Sequence, residues 1–270
     1  MRRYDEHEFF VLALSAFAPI NLLSAIAMLL IVLSIASVFF HWRARASQTE
    51  LRKQIDAWWI FLPVVGLAVC AYPIGPIILS VLIIALGVRE LLLQRFREPT
   101  RTHNLLAISA TLVLGLSCIS LFPTLGLATQ AAQSWLFYLF ALTAINDICQ
   151  FVLGKRFGRH KIAPRSSPNK TWEGLLGGLA GSTLFSLMLG LHLELGSVVH
   201  LACLGFVLAI IGFFGDLVFS NTKRTLGIKD FSQLIPGHGG ILDRVDSLVF
   251  TAPALYLWLS YWFCSPFRID

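Results

Sequence analysis

The chain has 270 residues, of which 56% are hydrophobic and 13% charged, against roughly 25% charged in an average soluble domain. With a mean hydropathy of +0.74 and long uncharged runs, a single water-soluble core is excluded, and the bilayer is the solvent to reason with. The excess of 21 Lys and Arg over 15 Asp and Glu, a net +6, is compatible with nucleic acid, anionic lipid, a phosphorylated substrate or plain membrane topology, and placement has to decide among them.

At the N-terminus, Arg2, Arg3, an apolar stretch from Phe9 and the A-x-A at Ala16 to Ala18 raise the question of a signal peptide. Asp5, Glu6 and Glu8 spoil its basic region, and the apolar run continues past Pro19 to Phe40, so the segment is expected to be retained. Residues 9–18 are short for a span and read as interfacial, re-entrant or half of a helix kinked at Pro19.

Eight apolar stretches of about the length that crosses 30 Å of hydrocarbon as a helix then follow. They run over 17–40, 57–72, 75–93, 104–121, 134–153, 173–193, 198–219 and 244–264, with Pro73, Gly75 and Pro76 making a tight turn between the second and third. The expected fold is an all-α, polytopic helical bundle with eight or nine transmembrane helices. Cys70, Cys118, Cys149, Cys203 and Cys264 show no metal or redox spacing, so no disulfide or zinc site is expected.

Of the 21 cations, 18 lie in 41–56, 89–101, 154–172 and 223–244, while the alternate loops 73–76, 122–133 and 194–197 have none. The positive-inside rule therefore puts the basic loops in the cytoplasm and explains the net charge without nucleic acid, for which no motif is present.

The acids need another explanation. No charged residue occurs from Thr102 to Asn146, and Asp147 then ends that run from inside an expected helix. A charge at mid-bilayer costs about 2.5–3.5 kcal/mol on insertion scales, so such a residue needs a partner or a function. Glu173, Asp216, Asp230, Asp243 and Asp246 join it at the same ends of the later spans.

Two cytoplasmic loops, 154–172 and 220–243, are longer than connection requires. The first offers six cations suited to a polyphosphate, with Ser166, Ser167, Asn169 and Thr171 as neutral donors. Glu173 suits the positive end of the following helix. Beyond it Gly174, Gly177, Gly178 and Gly181 form overlapping G-x-x-x-G patterns, which pack helices within the bundle or between two subunits. In the second, Asp243 and Asp246 are three apart at a helix start and share a face, where their repulsion suits Mg²⁺ held partly by substrate phosphates. Pro236-Gly-His238-Gly239-Gly240 exposes backbone amides as phosphate-cradling loops do, and His238 reads as a phosphate donor or proton carrier.

The stretch 220–246 resembles the signature of the phosphatidate cytidylyltransferases, or CDP-diacylglycerol synthases: Ser220, Lys223, Arg224, Lys229, Asp230, Ser232, Ile235, Pro236, His238, Gly239, Gly240, Asp243, Arg244 and Asp246 all fit. Gly158 to Gly174, with Ser167-Pro-Asn169-Lys170-Thr-Trp-Glu173-Gly, is similar to a second family block. Asp147 is kept, but Ile148-Cys149-Gln150-Phe151 departs from the family's Thr or Ser, small residue, Ala and Tyr, the mark of a divergent branch.

The resemblance implies N-terminal transmembrane helices in 1–130 and a catalytic region in 131–270. It implies that CTP and phosphatidic acid give CDP-diacylglycerol and pyrophosphate at a bacterial inner membrane, on its cytoplasmic side. Mg²⁺ would rest on Asp243 and Asp246 with Asp216 or Asp230, a second monovalent or divalent cation and a homodimer staying open. Lys223, Arg224, Lys229 and Arg244 would hold phosphates, helped by Ser220, Gly239, Gly240, Lys170, Ser167, Asn169 and Asp147, with His238 an optional base. An ion-coupled transporter is the rival, against which stand the lack of an internal repeat and the gathering of acids at one face. A non-catalytic scaffold is another, against which stands the presence of the metal acids.

Overall fold

The computed structural model describes residues 18–43, 49–97, 102–232 and 239–264. Most of segment 9–18, and His238, therefore lie outside the described residues. Eight long helices follow the eight apolar stretches: α1 (Ile20–Arg43), α2 (Thr49–Cys70), α3 (Ile74–Arg97), α4 (Thr102–Ser120), α5 (Thr129–Phe157), α6 (Trp172–His192), α7 (Val198–Thr225) and, after a short α8 (Leu242–Val245), α9 (Leu248–Cys264). Among the described residues, α3, α5, α6 and α7 are long and apolar enough to cross a membrane, and the apolar parts of α1, α2 and α4 are shorter.

The centre of the bundle is α5. Trp135, Leu136, Phe137, Tyr138 and Leu139 are all at most 2% exposed, and α5 contacts α1, α2, α6, α7 and α9. A helix buried on every side reads as apolar all round, which is why this stretch shows no amphipathic period. Outward faces carry Ile35, Leu67, Leu114, Met188, Val199 and Leu257, all exposed, as a lipid-facing surface requires.

Where polar groups lie inside, they bond across helices. Asn146 Nδ2 donates to the Ala209 carbonyl at 3.2 Å, and its Oδ1 accepts from Ser182 Oγ at 3.1 Å, so α5, α6 and α7 meet at one amide. Asn146 is thus a helix-to-helix tie. Trp258 Nε1 donates to His200 Nε2 at 3.0 Å, in an aromatic cluster with Trp135 and Trp262.

The glycines of α6 pack within the bundle. A methyl added at Gly181 would sit 2.6 Å from Cys149 Sγ, one at Gly174 would sit 2.9 Å from the Gln150 carbonyl, and Gly177 and Gly178 are pressed still closer against Leu153 and Gln150. Only hydrogen at these positions lets the backbones of α5 and α6 come this near.

Both long loops are more regular than expected. In the first, α5 runs on to Phe157, and Lys161–Ala163 (β1) pairs antiparallel with Ser167–Thr171 (β2), so a small hairpin interrupts the otherwise all-α fold. In the second, α7 extends to Thr225, which puts Ser220, Lys223 and Arg224 on the last turns of a helix.

Candidate active site

One end of the bundle gathers the hairpin, the C-terminal turns of α7, the loop after it and the start of α9. Thr171 caps α6, its Oγ1 accepting from Gly174 N at 3.1 Å. Glu173 turns back to take the Arg159 and His160 amides and His160 Nδ1, the last at 2.6 Å. Its work is to hold the path from α5 into β1.

With the hairpin fixed, Lys170 reaches inward from β2 to Asp216 on α7, Nζ to Oδ2 2.6 Å, and lies 4.6 Å from the Phe213 ring centroid. Ser220 Oγ donates to the other Asp216 oxygen at 3.1 Å, one turn further along α7. Asp147 on α5 accepts from Ser247 Oγ at 3.1 Å. Asp246, only 8% exposed, accepts from Ser247 N at 2.8 Å. The Asp246 carboxylate is close enough to feel the charges of both Asp216 and Asp147, with Lys223 opposing them. Three carboxylates from α5, α7 and the α8–α9 turn thus lie within one another's fields, Asp246 buried and Asp147 and Asp216 half-buried.

Asp243 does something different from Asp246. Its Oδ1 takes Lys223 Nζ at 2.8 Å, and its Oδ2 takes the Phe231 amide at 3.0 Å and the Gly240 amide at 2.9 Å. The two acids three residues apart differ in their hydrogen bonds, Asp243 ordering the loop and Asp246 taking the Ser247 amide, and both lie within the fields of Lys223 and Arg244. The glycines fit the same arrangement. Gly239 has φ +81°, open to glycine at little cost, and a Cβ there would lie 2.9 Å from Asp243 Oδ2, while one at Gly240 would lie 2.5 Å from Glu90 Oε2. Their close approach is to two protein carboxylates.

Arg224 joins the two loops: its Nε donates to the Ser166 carbonyl at 3.2 Å and its Nη1 to the Ile228 carbonyl at 3.2 Å, while Ser166 Oγ donates to Asn221 Oδ1 at 2.8 Å. Arg244 lies within the fields of Asp243, Asp246, Asp230 and Asp147. Lys229 and Asp230 line a cavity of about 530 Å³ together with Leu93, Gln94, Ile228, Phe231 and Ser232. Ser167 and Asn169 lie on β2, Asn169 exposed.

The segment Ile148 to Phe151 follows Asp147 on α5. Cys149 and Gln150 pack on the α6 glycines, and Ile148 and Phe151 are exposed.

Sequence reading missed Ser247, Gln94 and Glu90. Glu90 is 1% exposed on α3 and accepts from the Ser232 hydroxyl and the Ile241 and Leu242 amides. The available signal was an acid inside the apolar stretch 75–93.

Among the described residues, no three His, Cys, Asp or Glu side chains converge tightly enough to hold a metal ion unaided. The donor chemistry still suits Mg²⁺, which commonly uses one or two carboxylates and takes its remaining ligands from water and substrate phosphates.

The family described as "Cytidylyltransferase family" matches residues 8–262. Among curated proteins, the chain is 44% identical over 132 residues to the uncharacterized protein YnbB of Escherichia coli (strain K12), covering 49% of this chain and 44% of that one. It is 42% identical over 120 residues to a phosphatidate cytidylyltransferase of Brucella suis, covering 44% of each. To a phosphatidate cytidylyltransferase of Staphylococcus epidermidis it is 40% identical over 126 residues, 46% of this chain and 48% of that one. The chain thus spans about half the length of the curated relatives it matches.

Proposed function

The chain belongs to the cytidylyltransferase family, and on that premise we propose that it transfers the cytidylyl group of CTP to phosphatidic acid, giving CDP-diacylglycerol and pyrophosphate. The observation that carries this reading is the gathering of Asp147, Asp216 and Asp246 at one end of the bundle, beside the half-buried Lys170, which pairs with Asp216, and Lys223, which pairs with Asp243. That is an arrangement for bringing two polyanions together. The names of the Brucella and Staphylococcus relatives support the choice of substrates.

In the reaction, a phosphate oxygen of the lipid attacks the α-phosphorus of CTP, and the bond from that phosphorus to the bridging oxygen of the β-phosphate breaks as pyrophosphate leaves. A phosphate monoester is already largely ionised at neutral pH, so alignment and charge neutralisation are the main tasks. Asp246 with Asp216 or Asp147 would hold Mg²⁺, which when bound neutralises triphosphate charge. Lys170 and Lys223, each already paired with a carboxylate, provide ammonium groups at the edge of the same region. Lys229 stands in the adjoining cavity, large enough for part of a nucleotide. Arg224 serves by locking the hairpin to the second loop.

Eight helices crossing the membrane, with this end in the cytoplasm, fit the basic loops and let soluble CTP meet a lipid phosphate at the interface. A bacterial inner membrane is the matching location. The two-part division at residue 130 is kept as a functional one, since the acids and cations of the site fall after it. The test is direct: purified protein in micelles with phosphatidic acid, Mg²⁺ and labelled CTP yields a chloroform-soluble labelled lipid. Absence of that product, with ion flux in reconstituted vesicles, would instead support a transporter.

A further inference from the structure

We propose that Glu90 on α3, assisted by Gln94, is a positioning residue for the site, acting as a clamp on both feet of the 231–242 loop. Glu90 Oε1 accepts from Ser232 Oγ at 2.6 Å and Ile241 N at 2.9 Å, and Oε2 accepts from Leu242 N at 3.2 Å. One turn along the same helix face, Gln94 Nε2 donates to the Phe231 carbonyl at 2.6 Å. Both side chains are buried, at 1% and 5% exposure.

The placement is costly unless it has a purpose, because a carboxylate inside an apolar helix needs compensation. Here the compensation is three hydrogen bonds from one loop. The clamp has a second half. Gly240 lies against Glu90 while its amide donates to Asp243, and Asp243 in turn takes Phe231 N and Lys223. Two carboxylates therefore grip the same glycine from opposite elements, and the chain leaves this grip directly into α8, which starts at Leu242, four residues before Asp246. Side-chain charge on α3 thereby fixes where the α8–α9 turn begins, and with it where Asp246 points. Glu90 itself touches none of Asp147, Asp216 or Asp246 through any hydrogen bond described here, so its effect on the reaction passes through the loop.

The proposal rests on the catalytic reading above, and two measurements keep their failures separate. The first is hydrogen exchange on the full-length protein in detergent. Glu90→Gln, which has one acceptor oxygen in place of two, should speed exchange in 239–242 while leaving the α5 core 135–142 unchanged, whether or not the protein makes liponucleotide. The second is turnover. Glu90→Gln should lower kcat about 10- to 100-fold, with KM for CTP and for phosphatidic acid within about 2-fold, since misplacement acts on alignment more than on ground-state binding. Glu90→Asp, which keeps both oxygens on a shorter stem, should recover part of kcat and part of the protection. Unchanged exchange in 239–242 overturns the clamp. Faster exchange with wild-type kcat overturns its positioning role. A wild type without turnover refutes the catalytic reading, and the exchange result still decides the clamp.

Discussion

Lys170 Nζ lies 2.6 Å from Asp216 Oδ2, joining a strand of the hairpin to a membrane helix by one ion pair. The ammonium is 12% and the carboxylate 29% exposed, so the pair is partly desolvated and removing either partner leaves a poorly hydrated charge.

Lys170→Met should therefore destabilise the protein, by about 1–3 kcal/mol for a pair that keeps some contact with water. Asp216→Asn added to it should restore most of that stability and none of the activity. Thermal unfolding of the two single variants and the double variant, run as a cycle, gives the coupling. Additive losses would show that the pair contributes nothing beyond its separate residues.

Asp246→Asn is expected to move stability and activity in opposite directions. It relieves repulsion from Asp216 and Asp147 while leaving the Ser247 amide an acceptor. The midpoint of unfolding should rise by a few degrees, and liponucleotide formation should fall by about 100-fold or more, as when a group essential to charge neutralisation is lost. A lowered midpoint would mean that this carboxylate stabilises the fold.

Arg224→Lys keeps the charge but not the fork that reaches two carbonyls at once. Cleavage by trypsin after Arg165, in the hairpin turn, should become faster at equal overall stability, and KM should rise more than kcat falls. Unaltered cleavage would return Arg224 to the role of a direct phosphate ligand.

Gly181→Ala would put a methyl 2.6 Å from Cys149 Sγ. Overpacking of this kind costs about 1–3 kcal/mol. Gly181→Ala combined with Cys149→Ala should recover much of it, and unfolding midpoints in detergent measure both.

The helices were legible because a bilayer demands some 20 apolar residues in a row, a stronger signal than any propensity; each of the eight stretches became one helix. The hairpin was not. Lys161 to Thr171 contains two prolines and no alternation of apolar and polar residues, and its strands are held by the Glu173 cradle and the Arg224 tie, which are tertiary contacts. The acids were legible as a group, because charge near a membrane is rare and costly. Their separate hydrogen bonds were not, since spacing does not show that Asp243 takes the Phe231 and Gly240 amides while Asp246 takes that of Ser247. Glu90 is harder to read from sequence, because it stands beside Arg89 and ahead of Arg95 and Arg97 and its partners Ser232, Ile241 and Leu242 are more than 140 residues away.

The glycine seam between α5 and α6 also closes one path through the bundle. Where two backbones meet with only hydrogens between them, no fatty-acyl tail can slip through. On the proposed reaction, a diacyl substrate arriving from the surrounding leaflet would have to enter between other helices.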